Sequence, residues 1–181
     1  MRKRFPDVKF EDNPARLAHP ILASLKAYWD EKRGTRLMPA RADLRPADIR
    51  EHLPWIVLID VLHNGAGFRY RLIGTLITQY FKTDATGQTV DEAWASQGEE
   101  GVQGVLSILR HVTQNKIAMR CYGETGWNTI GLENFDSVYL PLSDEGQTVN
   151  MILHAFVFNR PEVLLARKLE CAGDDLLALS R

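Results

Sequence analysis

The rhythm of apolar positions changes at Gly74. Before it, Phe68, Tyr70 and Leu72 alternate with Arg69 and Arg71, the period of a half-buried strand. After it, Leu76, Ile77, Tyr80 and Phe81 recur at helical spacing, which predicts a short helix over 75–82 capped by Thr75, with Gly87 as a turn residue beyond it. A strand that stops at a glycine and runs straight into a helix on the same core points to a small α+β ligand-sensing domain rather than to an enzyme.

The flanking segments extend the pattern. Leu17, Ile21, Leu25, Tyr28 and Trp29 form the stripe of an amphipathic helix ended by Gly34. Such a stripe must lie on the domain or against a second copy of itself. Pro46 suits the start of a short helix to Leu53, stopped by Pro54. Trp55 to Leu62 is nearly all apolar and β-branched, a strand covered on both faces, and Asn64-Gly-Ala-Gly67 turns it into an antiparallel hairpin over 55–73. From Asp84 to Gly98 the chain reads as a polar connection. Val102, Val105, Leu109 and Val112 predict a long helix over about 99–114, and Ile117 to Tyr122 a strand. A Gly-rich connection with Trp127 and Asn128 follows, then a hairpin of Phe135–Leu142 and Thr148–Phe158 joined at Ser143-Asp-Glu-Gly146.

Five antiparallel strands with helices inserted after the second predict an α+β domain: one sheet, helices on one face, a pocket where short helices meet sheet, and an N-terminal amphipathic helix. The expected division is a flexible leader at 1–16, a helical extension and connector at 17–54, a core at 55–159 and a tail or helix at 160–181.

Composition narrows the function. The 181 residues are 45% hydrophobic and 25% charged, with 22 basic and 23 acidic side chains. A net charge of −1 gives no electrostatic case for nucleic acid or an anionic membrane surface. No apolar run approaches the roughly 20 residues that span a bilayer, and no secretion signal opens the chain. Cys121 and Cys171 lie far apart, as expected of reduced thiols in a cytoplasmic protein.

Catalytic chemistry has little support. His19, His52, His63, His111 and His154 include no pair at metal-ligand spacing. Asp60, Glu92, Glu99 and Glu100 set out no carboxylate dyad, and Ser96, Ser107 and Ser137 lack a nucleophile elbow. His111 or His154 is the candidate for a haem ligand, with ordinary hydrogen bonding the preferred role for both. Arg69 and Arg71 are either a solvated sheet face, the preferred reading, or an anion clamp. The candidate pocket wall comprises Tyr70, Leu72, Tyr80, Trp94, Leu109, Arg120 and Tyr122, with Arg110 and Trp127 as further members. The candidate dimer interface is Ile21, Leu25, Tyr28 and Trp29.

Several segments in order carry a family resemblance. They are Tyr28-Trp29, Pro39-Ala-Arg-Ala-Asp-Leu-Arg-Pro46, Leu53-Pro54, Val57-Leu-Ile-Asp-Val61, Phe68-Arg-Tyr-Arg-Leu-Ile-Gly-Thr75, Thr86-Gly87 and Leu140-Pro-Leu-Ser-Asp-Glu-Gly146. Over roughly residues 20–158 the chain resembles the PAS superfamily, most nearly the single-domain PAS-like proteins of alphaproteobacteria. The resemblance implies a bacterial, non-catalytic sensory or regulatory module that binds a small ligand or a signalling partner protein, commonly as a homodimer. One departure stands at the pocket lip: where the family often carries a glycine and then a basic residue before Asp84, this chain has Lys82-Thr83. Members bind haem, flavin, organic acids or nothing detectable. A flavin photosensor of the PAS type needs a cysteine between the second strand and the long helix, and none lies between Phe68 and Val112. The alternatives kept open are a small α+β pocket enzyme of isomerase or hydrolase type and a haem sensor.

Overall fold

The computed structural model describes residues 8–125 and 133–159. Trp127, Asn128 and the tail from Arg160 lie outside the described residues. A single antiparallel sheet runs in the order β1 (Lys9–Asp12), β4 (Met119–Thr125), β5 (Glu133–Leu142), β6 (Met151–Asn159), β2 (Ile56–Leu62) and β3 (Gly67–Ile73). The helices are α1 (Pro20–Arg33), α2 (Thr75–Phe81), α3 (Val90–Trp94) and α4 (Gly98–Asn115).

The sheet has six strands, one more than the apolar pattern predicts. Lys9–Asp12 pairs with β4 from Lys9 opposite Tyr122 to Asp12 opposite Met119, so part of the expected flexible leader is an edge strand. Its four residues carry too little alternation to be read locally. They become a strand because β4 offers an open row of backbone donors and acceptors. α3 also escapes the apolar pattern. A reciprocal capping box starts it, with the Thr89 N–H donating to the Glu92 carboxylate at 2.9 Å and the Glu92 N–H to the Thr89 hydroxyl at 3.4 Å. The helix expected at 47–53 is a run of turns ending in a 3₁₀ turn over Leu53–Trp55.

β6 runs through the middle, and Ile152, Leu153, Ala155 and Val157 are fully buried. Such burial of successive residues means that both faces of the sheet are covered. α2, α3 and α4 lie over one face. α1 closes the other, packing on β5 and β6 through Leu22, Leu25 and Trp29, and the Trp29 indole N–H donates to the Pro141 carbonyl at 2.9 Å. The stripe offered as a dimer interface is therefore used inside the chain: Leu25 and Trp29 are core, and Ile21 is half-buried. Tyr28 is also tied internally, accepting from the Arg45 N–H at 2.9 Å and donating to Asp48 at 3.3 Å. An open sheet face and a lone amphipathic helix solve each other's burial problem without a second copy.

Gly74 stands at the N-cap of α2, one residue before the expected Thr75, with its N–H donating to the Ile56 carbonyl at 2.8 Å. Its φ of −65° suits any residue. The glycine is required by space: a Cβ would lie 2.4 Å from the Pro54 carbonyl oxygen and 2.5 Å from that of Leu53. Those atoms are backbone and cannot swing aside. Gly74→Ala is expected to lower stability by about 1–3 kcal/mol through overpacking, measured by urea denaturation. An unchanged midpoint would show that the contact yields freely.

A ligand-sized cavity between sheet and helices

A cavity of about 730 Å³ opens between the front of the sheet and α2, α3 and α4. Strand parity decides which side chains reach it. In β4, Cys121 faces the cavity, opposite Ser137 of β5. Arg120 and Tyr122 take the other parity and point away. There the Arg120 guanidinium grips Asp136 bidentately at 2.9 and 2.8 Å, meets Glu11 at 3.5 Å and lies over the Tyr122 ring. The buried carboxylate, more than any other neighbour, raises the Arg120 pKa.

β3 departs from simple alternation. Ile59 pairs with Tyr70 and Leu58 with Leu72, so Arg71 is an extra residue in the ladder, a β-bulge. The bulge reverses the parity beyond it. Tyr70 and Ile73 line the cavity, whereas Leu72 leaves it and is 40% exposed. Arg69 and Arg71 reach out to Asp60, each at 3.3 Å, and form no clamp inside.

Of the seven residues proposed for the wall, Tyr70, Tyr80, Trp94 and Leu109 line the cavity, and Leu72, Arg120 and Tyr122 do not; Arg110 is also outside it. Sequence reasoning missed Tyr139, Cys121, Phe135 and Phe156 as wall residues and gave His154 only a haem role. The signal was present in β6, where His154, Phe156 and Phe158 repeat with period two.

Tyr70 is held from several sides. Its backbone N–H donates to the Gln88 carbonyl at 3.0 Å, and its carbonyl accepts from the Gly87 N–H at 2.7 Å. Gly87 sits at φ +89°, a conformation open to glycine. Asp84 fixes the turn before it by accepting from the Thr86 N–H at 2.9 Å and the Thr86 hydroxyl at 2.6 Å. Gly87 and Gln88 thus continue the sheet beside β3, and Thr89 bridges Arg69. Trp94 of α3 then donates its indole N–H to the Tyr70 hydroxyl at 2.9 Å.

Aromatic rings form another part of the wall. Tyr80 and Phe81 of α2 lie against Phe158 and Phe156, Phe135 stacks on Phe156, and Tyr139 stacks on His154 at 4.0 Å. Lys82 stands at the rim as the C-cap of α2, in the left-handed conformation at φ 55°. That conformation favours glycine, the residue the family often carries there. Among the described residues Lys82 is the sole cation in the wall, and no carboxylate lines it.

Burial holds four groups of the wall in their uncharged forms. It pushes the Tyr70 phenol up to about 12 against the opposing Trp94 hydrogen bond, and the Cys121 thiol up to about 12. Tyr139 is raised well above its usual range for the same reason. His154 is driven down to about 3, and its buried Nε2 has no hydrogen-bond partner among the described residues. His111, the other haem candidate, is outside the cavity and holds Asp12 at 3.0 Å. Among the described residues no cluster of metal-ligating side chains forms, and no helix is long and apolar enough to cross a membrane.

An antiparallel sheet whose first hairpin lies beside its last strand, with short helices roofing a cavity on one face, defines a sensory α+β domain of the PAS class. The family model for the PAS domain matches residues 17–156, and the chain belongs to that family. Two solved structures share the fold at 14% identity and a TM-score of 0.50. One is the PAS domain of BvgS from Bordetella pertussis, where the match covers 84% of this chain and 98% of that one. The other is an RNA-binding Light-Oxygen-Voltage receptor, where it covers 97% of this chain and 46% of that one. No curated protein sequence matches the chain. Membership makes the chain a sensory or regulatory module.

The buried imidazole sets a pH dependence. Folded, His154 stays neutral down to about 3, whereas an unfolded histidine protonates near 6.5. Between those values the unfolded chain binds more protons, so stability falls as pH falls, by up to about 1.4 kcal/mol per unit. His52, also lowered by burial, adds in the same direction. His154→Phe keeps the ring stack and should flatten the slope between pH 6.5 and 4.5 in urea titrations. An unchanged slope would mean that His154 is protonated in the folded protein.

Proposed function

We propose that this chain is a non-catalytic PAS module of the cytoplasm that captures a small molecule in the cavity under α2, α3 and α4. Occupancy is reported by contact with a signalling partner protein. The cavity carries this reading: at about 730 Å³ it is the size of small-molecule sites, and its wall is largely apolar with a few placed polar groups. α2 and α3 bring side chains both to the cavity and to the outer surface, which gives occupancy a route outward.

The pocket-enzyme alternative draws on His154, the described histidine within the wall. A general base works best with a pKa near the operating pH. At about 3, His154 is a weak base, and Tyr70 and Cys121 at about 12 are weak acids. The groups are displaced in directions that disfavour proton transfer at neutral pH. Haem fits no better, because the Nε2 of His154 is buried and its ring lies against Tyr139. A homodimer, as the resemblance implies, requires a surface other than the buried stripe of α1, and sedimentation of the full chain tests it.

Native mass spectrometry of the purified protein should show a bound small molecule. Ile108→Trp, which fills the cavity from α4, should abolish that adduct while leaving the circular dichroism unchanged. Absence of any adduct, with no thermal stabilisation by a metabolite library, would overturn the reading.

A further inference from the structure

The cavity's chemistry narrows its ligand. We infer, resting on the reading of the cavity as a ligand site, that it takes an uncharged planar aromatic molecule whose hydrogen-bond acceptor meets the Tyr70 hydroxyl. Three observations converge on that class.

The first is the hydroxyl itself. The Tyr70 oxygen accepts the Trp94 indole N–H at 2.9 Å, so its own O–H proton points elsewhere. A phenol carries one donor as well as its acceptor sites. The Tyr70 hydroxyl donates no hydrogen bond to another described residue, and its side chain lines the cavity. A ligand carbonyl or ether oxygen completes the hydrogen bonding, and the indole bond strengthens the phenol as a donor.

The second is charge. Arg69, Arg71 and Arg120 all spend their guanidinium groups outside, on Asp60 and Asp136. Lys82 is exposed, at the rim of the cavity. A carboxylate beside Tyr70 would leave water with no buried cation to receive it, and a buried unpaired charge is costly. A ligand ammonium fares no better, since no carboxylate lines the wall among the described residues.

The third is shape. Phe135, Tyr139, His154 and Phe156 form a continuous row of rings along β5 and β6, and Phe81 of α2 meets it at Phe156. Parallel and edge-on ring contacts reward a flat ligand beyond its buried area.

Three probes of one skeleton separate these terms: 2-acetylnaphthalene, its anionic counterpart 2-naphthoate, and the saturated 2-acetyldecalin. In calorimetric titrations of the full chain, the aromatic ketone should bind about tenfold or more tighter than either of the others. Tyr70→Phe should weaken the ketone by about three- to tenfold, the worth of one hydrogen bond, and leave 2-naphthoate unchanged. If 2-naphthoate or 2-acetyldecalin binds the unaltered protein as tightly as the ketone, and Ile108→Trp blocks it, the ligand class is wrong while the cavity reading stands. If none of the three binds, both fall. Should Tyr70→Phe fail to fold, the comparison among the three probes on the unaltered protein still decides.

Discussion

The contact between Gly74 and the Leu53-Pro54 carbonyls is the constraint on which the architecture depends. β3 ends where its backbone presses against the turn that begins β2, and only a residue without a side chain fits there. The N–H of Gly74 bonds Ile56 at the same point, so the chain leaves the sheet at a fixed place and angle. α2 starts at once and carries Ile77, Tyr80 and Phe81 back over the strands. Without that turn the front face would have no roof at this end, and the rings of β6 would face water.

Much of this was legible in the sequence because it is written in periodicity. The change of rhythm at Gly74, the hairpin of β2 and β3, the stripe of α4 and the final hairpin follow from apolar spacing alone. What was not legible depends on partners distant in sequence. β1 exists because β4 has an open edge, and Lys9–Asp12 carries no pattern that announces it. α3 is set by a capping box within a polar stretch. The bulge at Arg71 shows the same limit at the site itself: counting by twos from Tyr70 places Leu72 inside, and one extra residue in the ladder places it outside. Arg120 and Tyr122 were misassigned through parity, since Cys121 takes the inward position between them.

The site also shows how a protein keeps polar atoms inside without charge. Tyr70, Tyr139, Cys121 and His154 are all ionisable, yet burial moves each away from its charged form. The ion pairs nearest the site lie outside the cavity, at Asp60 with its two arginines and at Asp136 with Arg120. This segregation gives the molecule one compartment lined almost wholly by neutral groups and a charged exterior. Selectivity inside is thereby left to ring geometry and single hydrogen bonds.

β1 has a mechanical consequence. Val8, just before it, and Phe10 within it form part of the cavity wall, while Glu11 is tied to Arg120 and Asp12 to His111. Tension applied along the backbone ahead of Lys9 would therefore load the same short ribbon that closes one side of the cavity. Peeling that ribbon would breach the compartment, and a guest lodged against Phe10 would resist the peeling. Load and occupancy are two handles on one seam.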